Sequence, residues 1–192
     1  VTTLAGDGTP GLTDPTGTSA RFKNPRGIDI DPSGTYAVIA DSGNHRIRKI
    51  DLATEEVTTL AGDGTPGLTD GTGTSARFTY PRGIAIDPSG TYALVVEQSN
   101  NKIRKILLAT NMVTTYDINP NWDWSWNIDI HPSGNYALLC NVPKHSIRKI
   151  DLVNDQLFNK PRDIVINSDG NSAYLSLEDN HTIRELTFSD TI

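Results

Sequence analysis

Carboxylates able to bind a cation recur in two nearly identical runs of this sequence, AGDGTPGLTDPTGTSARF at residues 5–22 and AGDGTPGLTDGTGTSARF at residues 61–78. They are Asp7, Asp14, Asp63 and Asp70. A calcium ion takes about six to eight oxygen ligands that close around it, and these runs lack the dense Asp-x-Asp spacing of calcium loops. Aspartate beside glycine and proline also favours tight turns for backbone reasons. We therefore expect turn formation by these four residues, with a weak ion site as the alternative.

Three arginines stand directly after a proline at equivalent points of the chain: Arg26, Arg82 and Arg162. Guanidinium groups bind carboxylates and phosphates through paired hydrogen bonds, so these side chains could attract an anion. They could instead pair with the loop aspartates, which are plentiful in the neighbouring sequence. We expect this second arrangement.

The run Asn-Trp-Asp-Trp-Ser-Trp at residues 121–126 departs from the corresponding sequence elsewhere in the chain. Trp124 and Trp126 occupy the positions of Tyr80 and Arg82. An exposed tryptophan pair is a plausible hot spot for a protein or sugar partner. The same pair could fill space left by a shortened connection, and the sequence leaves both interpretations open.

Histidine and cysteine form no constellation typical of catalysis or metal binding. His45, His145 and His181 recur at equivalent positions along the chain, which keeps them apart, whereas zinc ligands must converge on one ion. Cys140 has no partner for an internal disulfide, and we expect it to be a small buried apolar residue. No nucleophile lies in a motif with a base, and no phosphate-binding loop is present. We predict a chain that is not an enzyme and that holds no metal and no cofactor.

Net charge, the length of apolar runs and one short motif bear on the class of partner and on the cellular location. The 192 residues carry a net charge of -6, which disfavours the electrostatic binding of nucleic acid. No apolar run approaches the ~18 residues of a membrane-spanning helix. Asn180 begins the triplet Asn-His-Thr, an N-glycosylation sequon that weakly indicates an extracellular or cell-surface protein.

The candidate residues recur because the chain consists of four repeat units, at about residues 1–56, 57–112, 113–156 and 157–192. A unit contains an alternating strand, a turn of the type Asp-Pro-Ser-Gly, an apolar strand and an Ile-Arg strand. In the first unit these strands are predicted at residues 27–31, 36–40 and 46–52, followed by an outer strand at 57–60. No segment has a helical period. We expect antiparallel four-stranded blades, with the outer strand of the third unit lost or reduced to a stub.

The stretch PRGIDIDPSGTYAVIADSGNHRIRKIDL resembles an NHL repeat, a family named after an Asn-His-Leu signature. Asn44 and His45 match the first two letters, and Arg46 stands in place of leucine. The resemblance covers almost the whole chain and implies an all-β propeller of four NHL-like repeats. These units could form an open arrangement or part of a larger propeller. The resemblance also implies a binding role.

In a propeller the innermost strands line a central channel, and the long loops share one face with the Asn-His turns. This face, here called the loop face, would carry the four loop aspartates and, at the channel mouth, the three arginines and the tryptophan pair. Functional residues concentrate on loops that a rigid scaffold positions. We therefore expect a protein or glycan partner on the loop face.

The first four residues, Val-Thr-Thr-Leu, repeat the outer strand at residues 57–60, and the last unit stops before an outer strand of its own. Pairing of the two ends would place Val1, Thr2, Thr3 and Leu4 beside Ile183, Arg184, Glu185 and Leu186. Within one chain this pairing completes the last blade, and between chains it builds a head-to-tail filament by self-association. A structural subunit of an extracellular or surface filament is thus the alternative to a recognition module.

Overall fold

In a computed structural model the chain divides into two compact units, Val1–Val153 and Asn154–Ile192. The structure describes residues 1–116, 125–140 and 145–152 with their side chains. For Asn141 and the strands at 161–166, 172–177 and 182–187 it describes the backbone alone. Every described sheet is antiparallel, as the repeat sequence predicts, and the short 3-10 turns lie at Gly17–Ser19, Ser42–Asn44 and Gly73–Ser75.

The first blade is a four-stranded meander whose strands follow one another in sequence. Its strands are β1 Pro25–Ile30, β2 Tyr36–Asp41, β3 Arg46–Asp51 and β4 Val57–Ala61. The β2 strand is buried on both faces, as its apolar run predicts. The pairing of β3 with β4 shifts register between Ile47 and Arg48, as a β-bulge does.

Polar side chains at the two turns fix the ends of β2. Asp31 accepts hydrogen bonds from the backbone N–H groups of Thr35 and Tyr36 at 2.6 and 2.7 Å. Burial alone would raise the pKa of Asp31, but hydrogen bonds from Ser33 and from the backbone lower it to about 2. At the other end of the strand, His45 adopts the left-handed conformation (φ 53°), in which asparagine and histidine are enriched.

The second blade repeats this meander and gains a fifth strand from the connection that enters it. Its strands are β5 Gly71–Thr72, β6 Pro81–Ile86, β7 Tyr92–Glu97, β8 Lys102–Leu107 and β9 Met112–Tyr116. The short strand β5 pairs with the outer strand β9. In the first blade, a single bridge between Thr16 and Glu56 occupies the equivalent position. The crossing connection therefore covers the outer edge of the first and of the second blade, where an unpaired strand would promote aggregation.

The third blade contains three described strands in sequential order, β10 Ser125–Ile130, β11 Tyr136–Asn141 and β12 Ser146–Asp151. Residues 153–160, on which the predicted loss of its outer strand depends, lie outside the described residues. The smaller unit contains a separate three-stranded sheet, β13 Pro161–Ile166, β14 Ser172–Leu177 and β15 Thr182–Thr187.

The hydrophobic core of the larger unit lies between neighbouring blades. One buried cluster joins the first and second blades and includes Val38, Ile47, Phe78 and Ile84. Another joins the second and third blades and includes Leu94, Ile103, Ile128 and Leu139. Burial of one such side chain contributes about 1.5–3 kcal/mol, so the stacking of blades stabilises the larger unit.

Two glycines let the innermost strands approach each other closely. The β1 strand lies against β6, and β6 lies against β10. A Cβ atom on Gly83 would lie 2.7 Å from Cα of Asn127, and one on Gly27 would meet the β6 backbone at 2.4 Å. Asp29 adds a link between the blades, because its carboxylate accepts the backbone N–H of Ile86 at 2.7 Å.

Equivalent apolar residues differ in exposure according to whether a neighbouring blade covers them. Ile84 is 4% exposed because the first blade packs on it, whereas its equivalent in the first blade, Ile28, is 60% exposed. On β11, Cys140 is exposed, and so is Ile147, which lies directly opposite it on β12. The expectation that Cys140 is buried is therefore wrong, because this face of the two strands is exposed although it is apolar.

Val1–Leu4, which the sequence predicts as an outer strand, are not paired with a strand of the larger unit. These residues have an irregular backbone and are exposed, whereas the equivalent residues 57–60 lie in β4. A strand needs a partner for its backbone N–H and C=O groups, and Val1–Leu4 pair with no described strand of the larger unit. The pairing proposed with Ile183–Leu186 stays a prediction.

Replacing Gly83 by alanine should destabilise the larger unit, because the new methyl group collides with the β10 backbone. We expect a loss of about 1–3 kcal/mol in the free energy of unfolding, measured by urea denaturation. Gly11→Ala is the matched control, since its methyl group would meet only the flexible side chain of Arg21. Equal losses in the two variants would contradict the close packing of the inner strands.

Candidate functional site

The innermost strand of every repeat shifts register at its head, within its first four residues. The second residue of β1, β6 and β10 is Arg26, Arg82 and Trp126, respectively. A bulge bends its strand and re-aims the neighbouring side chains, and bulges are frequent beside binding sites. Because β1 packs against β6 and β6 against β10, the three strand heads lie side by side on the loop face.

These strand heads form an open groove of about 400 Å³, here called the Arg–Trp groove. It is lined by Arg26, Gly27, Ile28, Arg82, Trp126 and Asn127. The guanidinium carbon of Arg82 lies 3.6 Å from the ring centroid of Trp126, and Nη1 of Arg82 donates to Oε1 of Gln98 at 2.6 Å. These two contacts hold Arg82 in one orientation. Trp126 therefore helps to orient Arg82, a contact that the sequence does not predict.

Two cations share the Arg–Trp groove without an acidic partner among the described residues. Arg26 is exposed and forms no ion pair with any described carboxylate. Partial burial lowers the pKa of Arg82, and the charge of Arg26 lowers it further. The groove is therefore locally positive, although the chain as a whole is negative.

The loop aspartates do not pair with the groove arginines, which contradicts the arrangement expected from the sequence. Asp7 binds Arg21 at 2.7 Å, and Asp63 binds Arg77 at 2.8 Å, each within one crossing run. Each aspartate also accepts the backbone N–H two residues further on, at 2.7 and 2.6 Å, so the expected turn formation is observed. The guanidinium groups hold the pKa values of both carboxyls below their usual range.

The other two loop aspartates bind arginines that are fully buried. Arg48, with a side chain 0% exposed, donates to Asp41 at 3.0 Å and also contacts Asp14. Its two terminal nitrogens donate further to the carbonyl oxygens of Arg21 and Thr13, at 3.2 and 2.9 Å. A buried charge is tolerated only when ion pairs and hydrogen bonds replace its water, and these contacts supply both.

The second blade repeats this arrangement around Arg104. Its guanidinium lies 2.8 Å from Asp70 and 3.6 Å from Glu97. Glu97 also accepts the backbone N–H of Thr79 at 2.7 Å and the side-chain amide of Asn100 at 2.6 Å. Burial raises the pKa of Glu97 to about 7, although Asn100, Arg104 and Thr79 each act to lower it. We call each buried arginine with its two carboxylates the buried arginine network.

The buried arginine network also reaches the outer strand of its blade. Asp14 accepts the hydroxyl of Thr59 at 3.0 Å, and Asp70 accepts the hydroxyl of Thr115 at 2.9 Å. Each loop aspartate thus joins the crossing connection to a buried cation on the third strand and to the fourth strand. The aspartates are structural in this arrangement, and their predicted binding role gains no support from it.

His45 and His131 pack against neighbouring tyrosines at the turns. The Nδ1 atom of His45 accepts the backbone N–H of Tyr80 at 3.2 Å, and the two rings meet edge to face at 4.5 Å. Burial lowers the pKa of His45, and neighbouring cations lower it further. His131 stacks on Tyr136 at 4.4 Å. Within the described residues, no group of three His, Cys, Asp or Glu side chains lies close enough to hold a metal ion.

Several residues predicted to act in binding or assembly fall outside the described side chains. Trp124 and the sequon residue Asn180 lie outside the described residues. Arg162 is the second residue of β13, and Ile183–Leu186 lie within β15, where only the backbone is described. Their roles stay predictions. The described part of the chain contains no helix with the length and apolar character that a membrane crossing requires.

Sequence reasoning does not identify Arg48 and Arg104 as buried, nor Gln98 as the partner of Arg82. A signal for the buried arginines is present. In both blades an acidic residue ends the apolar strand seven residues before the arginine, and a loop aspartate precedes the arginine by 34 residues. Gln98 has no comparable pattern, because it contacts Arg82 only through the fold of its own blade.

The comparison with known sequences supports the repeat assignment. No family model matches the chain. Human NHL repeat-containing protein 2 is 34% identical over 109 residues, which cover 56% of this chain and 15% of the human protein. The chain thus spans a small part of the length of that relative. The similarity, over about half of this chain, supports the resemblance to NHL repeats that the sequence predicts.

Solved structures with similar backbones are distant in sequence. A chain of the Kuenenia stuttgartiensis hydrazine synthase has a TM-score of 0.53 and 19% identity, covering 95% of this chain and 49% of the other. A chain of a nidogen/laminin complex has a TM-score of 0.54 and 16% identity, covering 70% and 46%. These likenesses concern the fold alone, and they confirm an all-β chain of propeller-type blades.

Removing the buried arginine of the second blade should destabilise the chain far more than removing an exposed arginine of the connection that enters this blade. Arg104→Met leaves two carboxylates without their cation, and we expect a loss of about 3–5 kcal/mol in the free energy of unfolding. Arg77→Met breaks only the exposed pair with Asp63 and should cost less than about 1 kcal/mol. Urea denaturation measures both. Similar losses in the two variants would show that the buried arginine network has no special role.

The contribution of Glu97 to stability should fall as the pH rises. Its pKa rises from an ordinary 4.5 to about 7, so between these values the folded state holds a proton that the unfolded state has lost. Glu97→Gln removes this titration. We therefore expect the free energy of unfolding of the wild type, relative to that of E97Q, to decrease from pH 4.5 to about 7.

Urea denaturation across that pH range measures the difference between the wild type and E97Q. Glu56→Gln, at an exposed residue, controls for the loss of one carboxylate. A difference between wild type and E97Q that stays constant with pH would contradict the raised pKa.

Proposed function

We propose that this chain of NHL-type repeats is a non-catalytic recognition module that binds a protein or glycan partner on its loop face, through the Arg–Trp groove. One observation carries the proposal. Arg26 and Arg82 have no acidic partner among the described residues, although the adjoining loops are rich in aspartate. Unneutralised cations on an ordered surface are typical of a site whose counter-charge comes from another molecule.

The groove is also ordered before any partner arrives. Contacts with Trp126 and Gln98 fix the guanidinium of Arg82, which reduces the entropy lost when a partner binds. Arginine and tryptophan are the residue types enriched at binding hot spots. Ile28 adds exposed apolar surface and Asn127 adds an exposed amide, so the groove offers charged, apolar and polar contacts together.

The groove residues suit recognition better than catalysis. An enzyme site needs a nucleophile within reach of a base, or a pair of acids. The residue types that line the groove are arginine, glycine, isoleucine, tryptophan and asparagine, none of which acts readily as a base at neutral pH. Propeller-type blades also occur in a hydrazine synthase, so the groove residues, and not the fold, favour recognition over catalysis.

The comparisons support a protein partner by analogy. The nidogen/laminin complex, by its name, joins two proteins, and one of its chains has propeller-type blades like those of this chain. The extracellular or cell-surface location suggested by the sequon at Asn180 belongs to the same proposal.

A structural subunit is the second candidate, because the first blade leaves an apolar face open. Ile28 and Ile30 are 60% and 54% exposed, and apolar patches of this kind mark association sites. Self-association through this face would not require a strand at Val1–Leu4, on which the filament predicted from the sequence depends.

Blocking the Arg–Trp groove should abolish partner binding. Asn127→Trp places a bulky ring in the groove without changing its charge, and Ala53→Trp places the same ring at an exposed turn on the opposite face. Ligands selected from displayed peptides and arrayed glycans should bind A53W like the wild type. They should bind N127W at least about tenfold more weakly in equilibrium titrations.

Ligands that bind N127W as tightly as the wild type would place recognition elsewhere on the chain. If the chain yields no ligand and sediments as large assemblies, the structural subunit replaces the recognition module as the proposed function.

A further inference from the structure

The Arg–Trp groove has a charge imbalance that a partner must correct. The four loop aspartates are each bound to other arginines: Arg21, Arg48, Arg77 and Arg104. The groove itself contains two guanidinium groups, and its neutral polar residue is Asn127. None of these four aspartates can enter the groove without breaking its ion pair, and no other described carboxylate is paired with Arg26 or Arg82. The missing negative charge must therefore come from the bound molecule.

The fixed orientation of Arg82 defines the shape of that negative group. Its Nη1 donates to the amide oxygen of Gln98 at 2.6 Å. This hydrogen bond orients the guanidinium group, but because the amide is neutral it leaves the positive charge uncompensated. A guanidinium presents its donors in one plane, and a planar carboxylate accepts two of them at once. The exposed Arg26 supplies a second cation on the same groove.

We propose that the Arg–Trp groove binds a glutamate or aspartate carboxylate on an extended acidic segment of a partner protein, with an apolar neighbour of that residue packed on Ile28. This inference rests on the proposed function and names the chemistry of its partner. The exposed amide of Asn127 can hydrogen-bond the partner's backbone beside the carboxylate.

The groove fits an acidic peptide better than an acidic sugar. Sugar rings pack on free aromatic faces, and the guanidinium of Arg82 already covers one face of Trp126 at 3.6 Å. Ile28, 60% exposed, instead offers a contact for an aliphatic side chain. An alternation of acidic and apolar residues satisfies both the two arginines and Ile28.

The test uses two short fluorescent peptides, Gly-Glu-Leu-Glu-Gly and Gly-Gln-Leu-Gln-Gly, which differ only in charge. In fluorescence polarisation titrations, the wild-type chain should bind the glutamate peptide at least about tenfold more tightly than the glutamine peptide. The preference should shrink as the salt concentration rises from about 0.05 to about 0.5 M. The double variant R26Q/R82Q should lose it.

A matched control removes two positive charges outside the groove. Lys49 and Lys105 lie over Tyr36 and Tyr92, and the variant K49Q/K105Q changes the net charge as R26Q/R82Q does. It should keep the preference for the glutamate peptide. Retention of that preference in R26Q/R82Q, or its loss in both variants, would overturn the assignment to the groove.

Two further outcomes separate this inference from the proposed function. Equal binding of the two peptides, or no binding of either, overturns the carboxylate assignment, while the proposed function still stands if N127W loses its selected ligands. Binding of a uronate oligosaccharide or of inorganic phosphate that depends on Arg26 and Arg82, without binding of the glutamate peptide, shows that the anion belongs to another class of ligand and overturns the peptide assignment.

Discussion

The buried guanidinium groups of Arg48 and Arg104 are the contacts on which the order of the loop face depends. Each lies on the third strand of a blade, is 0% exposed, and is neutralised by a carboxylate from the second strand and another from the crossing connection. An uncompensated charge at such a site would cost several kcal/mol, so the long connection is held in one place by the need to pair that charge. The same connection then covers the outer edge of the blade through β5 or its equivalent bridge.

This structural use of the loop aspartates has a consequence for function. Because all four carboxylates are bound to arginines in or beneath the connections, none is left to neutralise the two arginines at the heads of the innermost strands. A chain with a net charge of -6 thus presents a small positive groove. Charge held in a groove of this kind directs an oppositely charged partner to one place on the surface, which gives specificity more readily than it gives affinity.

The position of the groove follows from the backbone. Gly27 and Gly83 allow the inner strands to lie closer together than any side chain would permit, and the blades stack through apolar clusters on either side of the second blade. The register shift at each strand head turns the second residue toward its neighbours. Arg82 and Trp126 therefore meet although they belong to different blades, and their contact orders the groove in the absence of a partner.

The sequence by itself determined the features that depend on local chemistry. The strands, the Asp-Pro-Ser-Gly turns and the repeat of blades all follow from short patterns of residues within each unit. The tertiary structure decided the features that depend on contacts between distant residues. Three such features are the pairing of each aspartate with its arginine, the stacking of Arg82 on Trp126 and the exposure of Cys140. Each depends on which residues the fold brings together. These contacts cannot be predicted from residue type and spacing, because a guanidinium group can pair with any carboxylate that the fold places within reach.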